Sequence, residues 1–208
     1  MPAVLSRRGL LAAAAATLSF PALAQDTAAI RKPIVDLYVA LESLMRAGPS
    51  TAFPLRFATL APVIDRTYDL QTVLRVSVGL RWPNFTPAAR TELSDAFRSF
   101  TVASFVANFD KYEGEKFEVL PDTRMVGADQ IVQTRIVPPS GEAIRLDYVM
   151  QMSDVGWRVT DVLLEGSISR VAVQRSDFRA LLAHGDPAEL IASLRRKVQH
   201  LSGGTIGA

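Results

Sequence analysis

The chain has 208 residues, of which 49% are hydrophobic and 21% are charged, and it contains no cysteine. This length and apolar content suit a single globular domain with a substantial core. The lack of cysteine excludes disulfides and thiol chemistry. The formal charge of +2 comes from Arg7 and Arg8, and without them basic and acidic side chains are equal in number. The rest of the chain therefore has no net charge, which gives no support to nucleic-acid binding.

Residues 1–24 have the pattern of an export signal. Arg7 and Arg8 supply a basic segment, Leu10–Phe20 an apolar run, and Ala22–Ala24 an Ala-x-Ala cleavage motif. The apolar run is too short to span a bilayer, which takes about 20 residues. The two arginines also resemble a twin-arginine signal, with an ordinary Sec signal as the alternative. We therefore expect an exported protein, and no later apolar stretch predicts a membrane span.

Helical patterns fill the first half of the remaining chain. Apolar residues recur at intervals of three and four, and Asp69 and Thr86 stand at positions typical of N-caps, the latter followed by Pro87. Pro33 falls early enough in the first helix to be tolerated. The pattern predicts helices over residues 27–47, 54–66, 69–80 and 86–109.

After Gly114 the apolar period changes from 3.6 to 2, which indicates strands. Short connections between the segments predict an antiparallel meander. The last segment places Trp157, Val159, Asp161 and Leu163 on one face, and we expect Trp157 to be largely buried. The predicted strands cover residues 116–125, 129–138, 142–152 and 156–165.

Two further helices are predicted after the last strand. One covers Asp177–Ala183, and the other begins at Asp186-Pro187 and ends near Leu201, with residues 202–208 as a flexible tail. Helices followed by a meander and then more helices predict an α+β fold.

The segment Gly156-Trp-Arg-Val-x-Asp-Val-x-x-Glu-Gly166 resembles the signature of the MlaC-type periplasmic lipid-binding proteins, also called the toluene-tolerance family. The Ile-Ser and Ala-x-x-Arg-Ser-x-Phe pattern that follows, within Ile168–Phe178, is more similar to the hopanoid-associated HpnM branch. The resemblance implies a curved sheet of the nuclear-transport-factor-2-like kind, with helices closing its concave face. It also implies that residues 25–201 form one lipid-binding domain.

The same resemblance implies a function. The protein would be a soluble periplasmic carrier that binds a hopanoid or a phospholipid in an apolar cavity. It would work with an inner-membrane ABC transporter complex and an outer-membrane component, and would need neither a cofactor nor catalytic residues. The identity of the lipid and the direction of transport stay open at the level of sequence.

Aromatic and aliphatic residues supply candidates for the cavity wall. From sequence alone an ordinary filled core is the favoured explanation, whereas the resemblance favours a pocket for lipid tails. The candidate lipid-binding residues are Leu74, Val78, Phe97, Phe100 and Val149.

Catalytic and metal chemistry have little support. His184 and His200 are the only histidines, and we expect both to be structural or solvated, so no metal site is predicted. Asp147 and Asp161 lie on adjacent predicted strands, and a buried pair would suit an isomerase or dehydratase on the same fold. The alternative is that each binds a nearby arginine. A pure interaction module within a transporter assembly is a third hypothesis.

Replacement of Arg7 and Arg8 by lysine tests the export route. If the twin-arginine route is obligatory, the double variant should accumulate unprocessed, because that machinery requires the arginine pair. Immunoblots of periplasmic and cytoplasmic fractions measure the outcome. Normal appearance of mature protein in the periplasm would rule the route out.

Overall fold

The computed structural model describes residues 22–207, with side chains from Thr27 onward. The twin-arginine pair and all but the last three residues of the predicted signal lie outside the described residues. The helices are α1 (Ala22–Ala47), α2 (Phe53–Thr67), α3 (Leu70–Val78), α4 (Pro87–Asn108), α5 (Arg170–Leu181) and α6 (Ala188–Leu201), with a 3₁₀ helix over Gly79–Asn84. The strands are β1 (Lys116–Val126), β2 (Asp129–Val137), β3 (Ile144–Ser153), β4 (Gly156–Leu164) and β5 (Ile168–Ser169).

The five strands form one antiparallel sheet in the order β1-β2-β3-β4-β5, which confirms the predicted α+β meander. The prediction that β4 is the last strand is wrong. Glu165 and Gly166 both adopt positive φ angles, 52° and 70°, and this turn brings Ile168–Ser169 back beside Leu163 and Leu164. A two-residue strand is too short to show a period in sequence.

A β-bulge at Thr160 changes which side chains of β4 face the helices. Val159 lies opposite Met150 and Asp161 opposite Val149, so no residue of β3 lies directly opposite Thr160. The extra residue reverses the alternation, and Val159 and Val162 both pack against the same hydrophobic cluster. The predicted single face of Trp157, Val159, Asp161 and Leu163 is therefore wrong beyond Thr160.

The apolar side chains divide into two clusters. The sheet cluster lies between the sheet, α1, α2 and the C-terminal half of α4, where Val102 and Val106 are buried. The helix cluster lies between α3, α5, α6 and the N-terminal half of α4, where Leu93 and Phe97 are buried. Helix α4 thus contributes buried side chains to both clusters.

The helix ends follow the predicted caps at two positions. The Asp69 side chain accepts a hydrogen bond from the Thr72 backbone N–H at 2.9 Å, and the Thr86 side chain accepts one from Ala89 at 3.2 Å. Helix α5 begins at Arg170 rather than at Asp177, because Ser169 caps it by accepting from the Ala172 N–H. These bonds satisfy N–H groups that have no partner within the helix.

Three further positions differ from the sequence-based expectation. Pro33 lies in the interior of α1, not in its first turns. Ser202 is buried, and its hydroxyl accepts a hydrogen bond from the Ile206 N–H, so the chain just beyond α6 folds back on the helix end. Trp157 is partly buried at the margin of the sheet cluster, whereas Val159 is the enclosed residue of β4.

Met150 and Met152 provide a matched test of the sheet cluster. Both follow the same alternation on β3, but Met150 is 0% exposed and Met152 is 61% exposed. We expect Met150→Ala to lower the free energy of unfolding by about 2–5 kcal/mol and Met152→Ala by less than about 0.5 kcal/mol. Urea unfolding measures both, and equal losses would contradict the assignment of the cluster.

Candidate functional site

An open cleft of about 790 Å³ lies between the sheet cluster and the helix cluster. Helix α4 forms one wall of the cleft. Leu146 and Tyr148 of β3 and Val162 of β4 form the facing wall, and α3 and α5 add apolar residues at one side. The apolar lining residues are Tyr68, Leu70, Val73, Phe97, Phe100, Phe105, Phe109, Leu146, Tyr148, Val162 and Val171.

Small side chains on α4 help to keep this space open. Thr101 and Ser104 face the cleft between aromatic residues of the same helix. Their hydroxyls donate to the backbone carbonyls of Phe97 and Phe100, at 2.9 and 2.8 Å. Each hydroxyl therefore has an acceptor within its own helix, and it needs none from a ligand. The part of the wall between the aromatic rings therefore takes up little volume, and its hydroxyl groups are already hydrogen-bonded.

The sheet side of the cleft carries neutral tyrosines. Burial raises the pKa of Tyr68 and Tyr148 well above that of an exposed phenol, so both rings stay uncharged at physiological pH. Next to Tyr148, Thr134 donates to the Leu146 carbonyl and accepts from the Tyr38 hydroxyl at 2.6 Å. The depth of the cleft therefore suits apolar groups.

The mouth of the cleft has a different character. On α6, Ser193, Arg196, Lys197 and His200 line it, and Arg170 and Gln174 of α5 lie across from them. Sequence reasoning did not assign these residues to the site. The signal was present in the helical spacing, because residues 193, 196, 197 and 200 share a face of α6 that flanks the buried stripe of Leu190, Leu194 and Val198.

The structure places the five candidate wall residues in three different environments. Phe97 and Phe100 line the cleft. Leu74 and Val78 are buried in the helix cluster and do not line it, because the face of α3 that carries them packs away from the gap. Val149 lies on the opposite face of β3 from Tyr148, as strand alternation requires, and is also absent from the lining. Contact of any of the five with lipid stays a prediction.

The two aspartates that could have formed a catalytic pair do not lie opposite each other. Asp147 pairs with Leu163 across the strands, and its buried carboxylate binds the Arg145 guanidinium at 2.7 and 2.9 Å. Asp161 lines the cleft, and its carboxylate accepts hydrogen bonds from the Val162 and Val171 N–H groups at 2.7 and 3.0 Å and from the Ser169 hydroxyl. Asp161 thus anchors the start of α5 to β4.

A second depression, of about 750 Å³, lies between α2, α3, α4 and the β3–β4 turn. Its lining is largely charged and polar, and includes Arg98, which binds Asp65 at 2.6 Å. This composition does not suit an apolar ligand. In the part of the chain that the structure describes, no three His, Asp or Glu residues cluster as metal ligands would, and none of the helices is both long and apolar enough to cross a bilayer.

Asp161→Asn tests the anchoring role. The amide keeps one acceptor oxygen where the carboxylate has two, so we expect a loss of about 1–3 kcal/mol of unfolding free energy in urea. Asp177→Asn, at an exposed position of the same α5, is the matched control and should change stability by less than about 0.5 kcal/mol. Unchanged stability in Asp161→Asn would show that α5 does not depend on this contact.

Comparison with known proteins gives a family and a fold. The family described as MlaC protein matches residues 43–196. A search of curated proteins found no match. Among solved structures, the phospholipid-binding protein from Ralstonia solanacearum, in complex with a phospholipid, is similar with a TM-score of 0.70 and 19% sequence identity. The match covers 86% of this chain and 98% of that one, and shows the same fold. The chain belongs to the MlaC protein family.

Proposed function

We propose that this protein is a periplasmic lipid carrier that holds the apolar part of its cargo in the cleft between the two clusters. The observation that carries the proposal is the cleft of about 790 Å³, at least half of whose lining residues are aromatic or aliphatic, including Phe97, Phe100 and Tyr148. A cavity near the upper end of the usual pocket range, about 300–1,000 Å³, exceeds what a small polar ligand needs.

The energetic argument favours binding over catalysis. Each methylene moved from water into an apolar cavity is worth about 0.8 kcal/mol, so a lipid tail leaves a membrane only when a comparable apolar site receives it. Such a site needs no acid, base or nucleophile. The single carboxylate among the described lining residues, Asp161, already accepts three hydrogen bonds from the protein. We therefore propose a binding protein and not an enzyme.

Membership of the MlaC family and the phospholipid held by the similar Ralstonia solanacearum protein support this proposal. The proposal extends to exchange of cargo with an inner-membrane ABC transporter complex and an outer-membrane component, as the sequence resemblance implies. A hopanoid and a phospholipid are the two cargoes considered. Mass spectrometry of the lipid that copurifies from the native cell distinguishes them.

Phe100→Trp tests whether the cleft is the lipid site. Phe100 is partly buried and borders open space, so the fold should accept the larger ring with a stability loss under about 1 kcal/mol. The added volume should displace tails, and we expect lipid carried per protein to fall severalfold. Native mass spectrometry gives the lipid content, and thermal unfolding gives the stability.

Phe178→Trp is the matched control in a filled region. Phe178 is buried in the helix cluster and does not line the cleft, so overpacking should cost about 1–3 kcal/mol while lipid content stays unchanged. Loss of stability in Phe100→Trp with lipid content unchanged would contradict the assignment of the cleft as the lipid site. Delipidated wild-type protein that takes up neither a phospholipid nor a hopanoid would overturn the function itself.

A further inference from the structure

An exposed leucine projects from the 3₁₀ helix that follows α3. Leu80 is 89% exposed, the highest value of any large hydrophobic residue in the described part of the chain, and Val76, one turn earlier on α3, is 46% exposed. Gly79 ends α3 with a φ of 69°, a conformation that residues with a side chain rarely adopt. The chain changes direction there, and Leu80 projects into solvent at the end of α3.

The residues on both sides of Leu80 are attached to α5, which lies beside α3. The Arg175 guanidinium lies against Gly79, 3.4 Å from the position that a Cβ atom would occupy there. The Arg81 guanidinium donates to the carbonyls of Leu182 and Ala183, just beyond the end of α5. Tertiary contacts on both sides therefore hold Leu80 at the flank of α5.

Arginines without carboxylate partners surround this leucine. Arg175 and Arg179 are one turn apart on α5, on the flank that faces α3, and Arg75 precedes Val76 on α3. All three are exposed, and within residues 27–207 none takes part in an ion pair. We call Arg75, Val76, Leu80, Arg175 and Arg179 the α3–α5 patch.

The patch contains no acidic side chain. In the two segments that form it, residues 70–85 and 170–185, the one acidic residue is Asp177. Asp177 is two positions from both Arg175 and Arg179, which places it about 200° around α5, on the far side of the helix. Three permanent cations therefore surround two exposed apolar side chains, and no carboxylate of these segments neutralises them.

This combination of basic and projecting apolar side chains matches the chemistry of an anionic lipid surface. Each basic side chain near such a surface strengthens binding about fivefold, and apolar side chains buried at the headgroup boundary strengthen it further. A protein partner would need a pocket for Leu80 and a continuous apolar core around it, and two separate side chains supply little of such a core. A bilayer accepts a projecting leucine without a complementary pocket.

We propose that the α3–α5 patch docks the protein reversibly on an anionic membrane surface, with Leu80 inserted among the headgroups and the three arginines bound to lipid phosphates. This inference goes beyond the proposed function, because it concerns the outer surface of the protein and not the cargo of the cleft. Another side of α5, with Arg170 and Gln174, lines the cleft. Docking through the patch would therefore bring the cleft beside the bilayer.

Cosedimentation with vesicles tests the proposal. The protein is purified after cleavage of the predicted signal, because the apolar run Leu10–Phe20 would itself bind lipid. One set of vesicles contains equal parts of phosphatidylcholine and phosphatidylglycerol, and the other contains phosphatidylcholine alone. The patch variants are L80N and R175Q/R179Q. The matched controls are M152N, which removes an exposed apolar side chain of β3, and R124Q/R135Q, which removes two exposed arginines of β1 and β2.

We expect wild-type protein to sediment with the anionic vesicles and to stay in solution with the neutral ones. L80N should weaken binding to the anionic vesicles about tenfold, and R175Q/R179Q about tenfold to thirtyfold, because apolar burial and two charges are lost, respectively. Both controls should bind like wild type. Raising the salt from about 0.1 M to about 1 M, which shortens the screening length from about 10 to about 3 Å, should release the wild-type protein. Thermal unfolding should be unchanged in every variant, because all the substituted side chains are exposed.

Four results would overturn the inference. Wild-type protein that sediments equally with both kinds of vesicle has no preference for anionic lipid, and L80N that binds as tightly as wild type does not use the leucine. Controls that lose as much binding as the patch variants would show that no particular face docks. Wild-type protein that binds neither kind of vesicle would leave an acidic protein partner as the occupant of the patch. Lipid carried by the unsedimented protein is measured separately by native mass spectrometry, so a lack of cargo would contradict the proposed function and leave this inference standing.

Discussion

The position of the cleft depends on how helix α4 is divided between the two hydrophobic clusters. Its N-terminal half contributes Leu93 and Phe97 to the helix cluster, and its C-terminal half contributes Val102 and Val106 to the sheet cluster. Over its middle turns, Phe100, Thr101 and Ser104 border open space and are only partly buried. The space left there, between Phe100 and the strands, is the cleft. Buried Arg56 fixes the far end of α4 by donating to the Val106 and Phe109 carbonyls at 3.2 and 3.0 Å.

Contacts around the bulge of β4 hold the two sides of the cleft in register. The Asp69 N–H donates to the Val159 carbonyl at 3.0 Å, which ties the α2–α3 junction to the strand just before the bulge. Immediately after the bulge, Asp161 binds the start of α5. Thr160 thus lies between two attachments, one to the α2–α3 junction and one to the start of α5, and both of these elements contribute lining residues to the cleft. The Val-x-Asp-Val part of the signature therefore has a structural role, because it joins β4 to the α2–α3 junction and to α5.

Sequence patterns predicted the features that depend on local rules. The caps at Asp69 and Thr86, the buried stripe of α1 and the meander all follow from periodicity and side-chain chemistry near in sequence. The patterns failed where one residue breaks a period or where tertiary packing chooses between apolar faces. The bulge at Thr160 has no sequence signal, and Val78 looks as suitable for a cavity wall as Phe100 until the partners of α3 are known. The basic face of α6 was visible in its spacing, but its meaning required the cleft beside it.

The proposed carrier would have to stay folded both with and without cargo, and the two clusters explain how it could do so. Each cluster encloses its own set of fully buried side chains, so neither relies on a ligand to complete it. Only the partly buried residues between the clusters, such as Phe100 and Phe105, lose packing contacts to the open space. In the proposed carrier role, cargo that enters the cleft would add apolar burial without first having to order the chain, and its departure would not unfold the protein. Under that proposal, release of cargo depends on the affinity of the cleft and not on the stability of the fold.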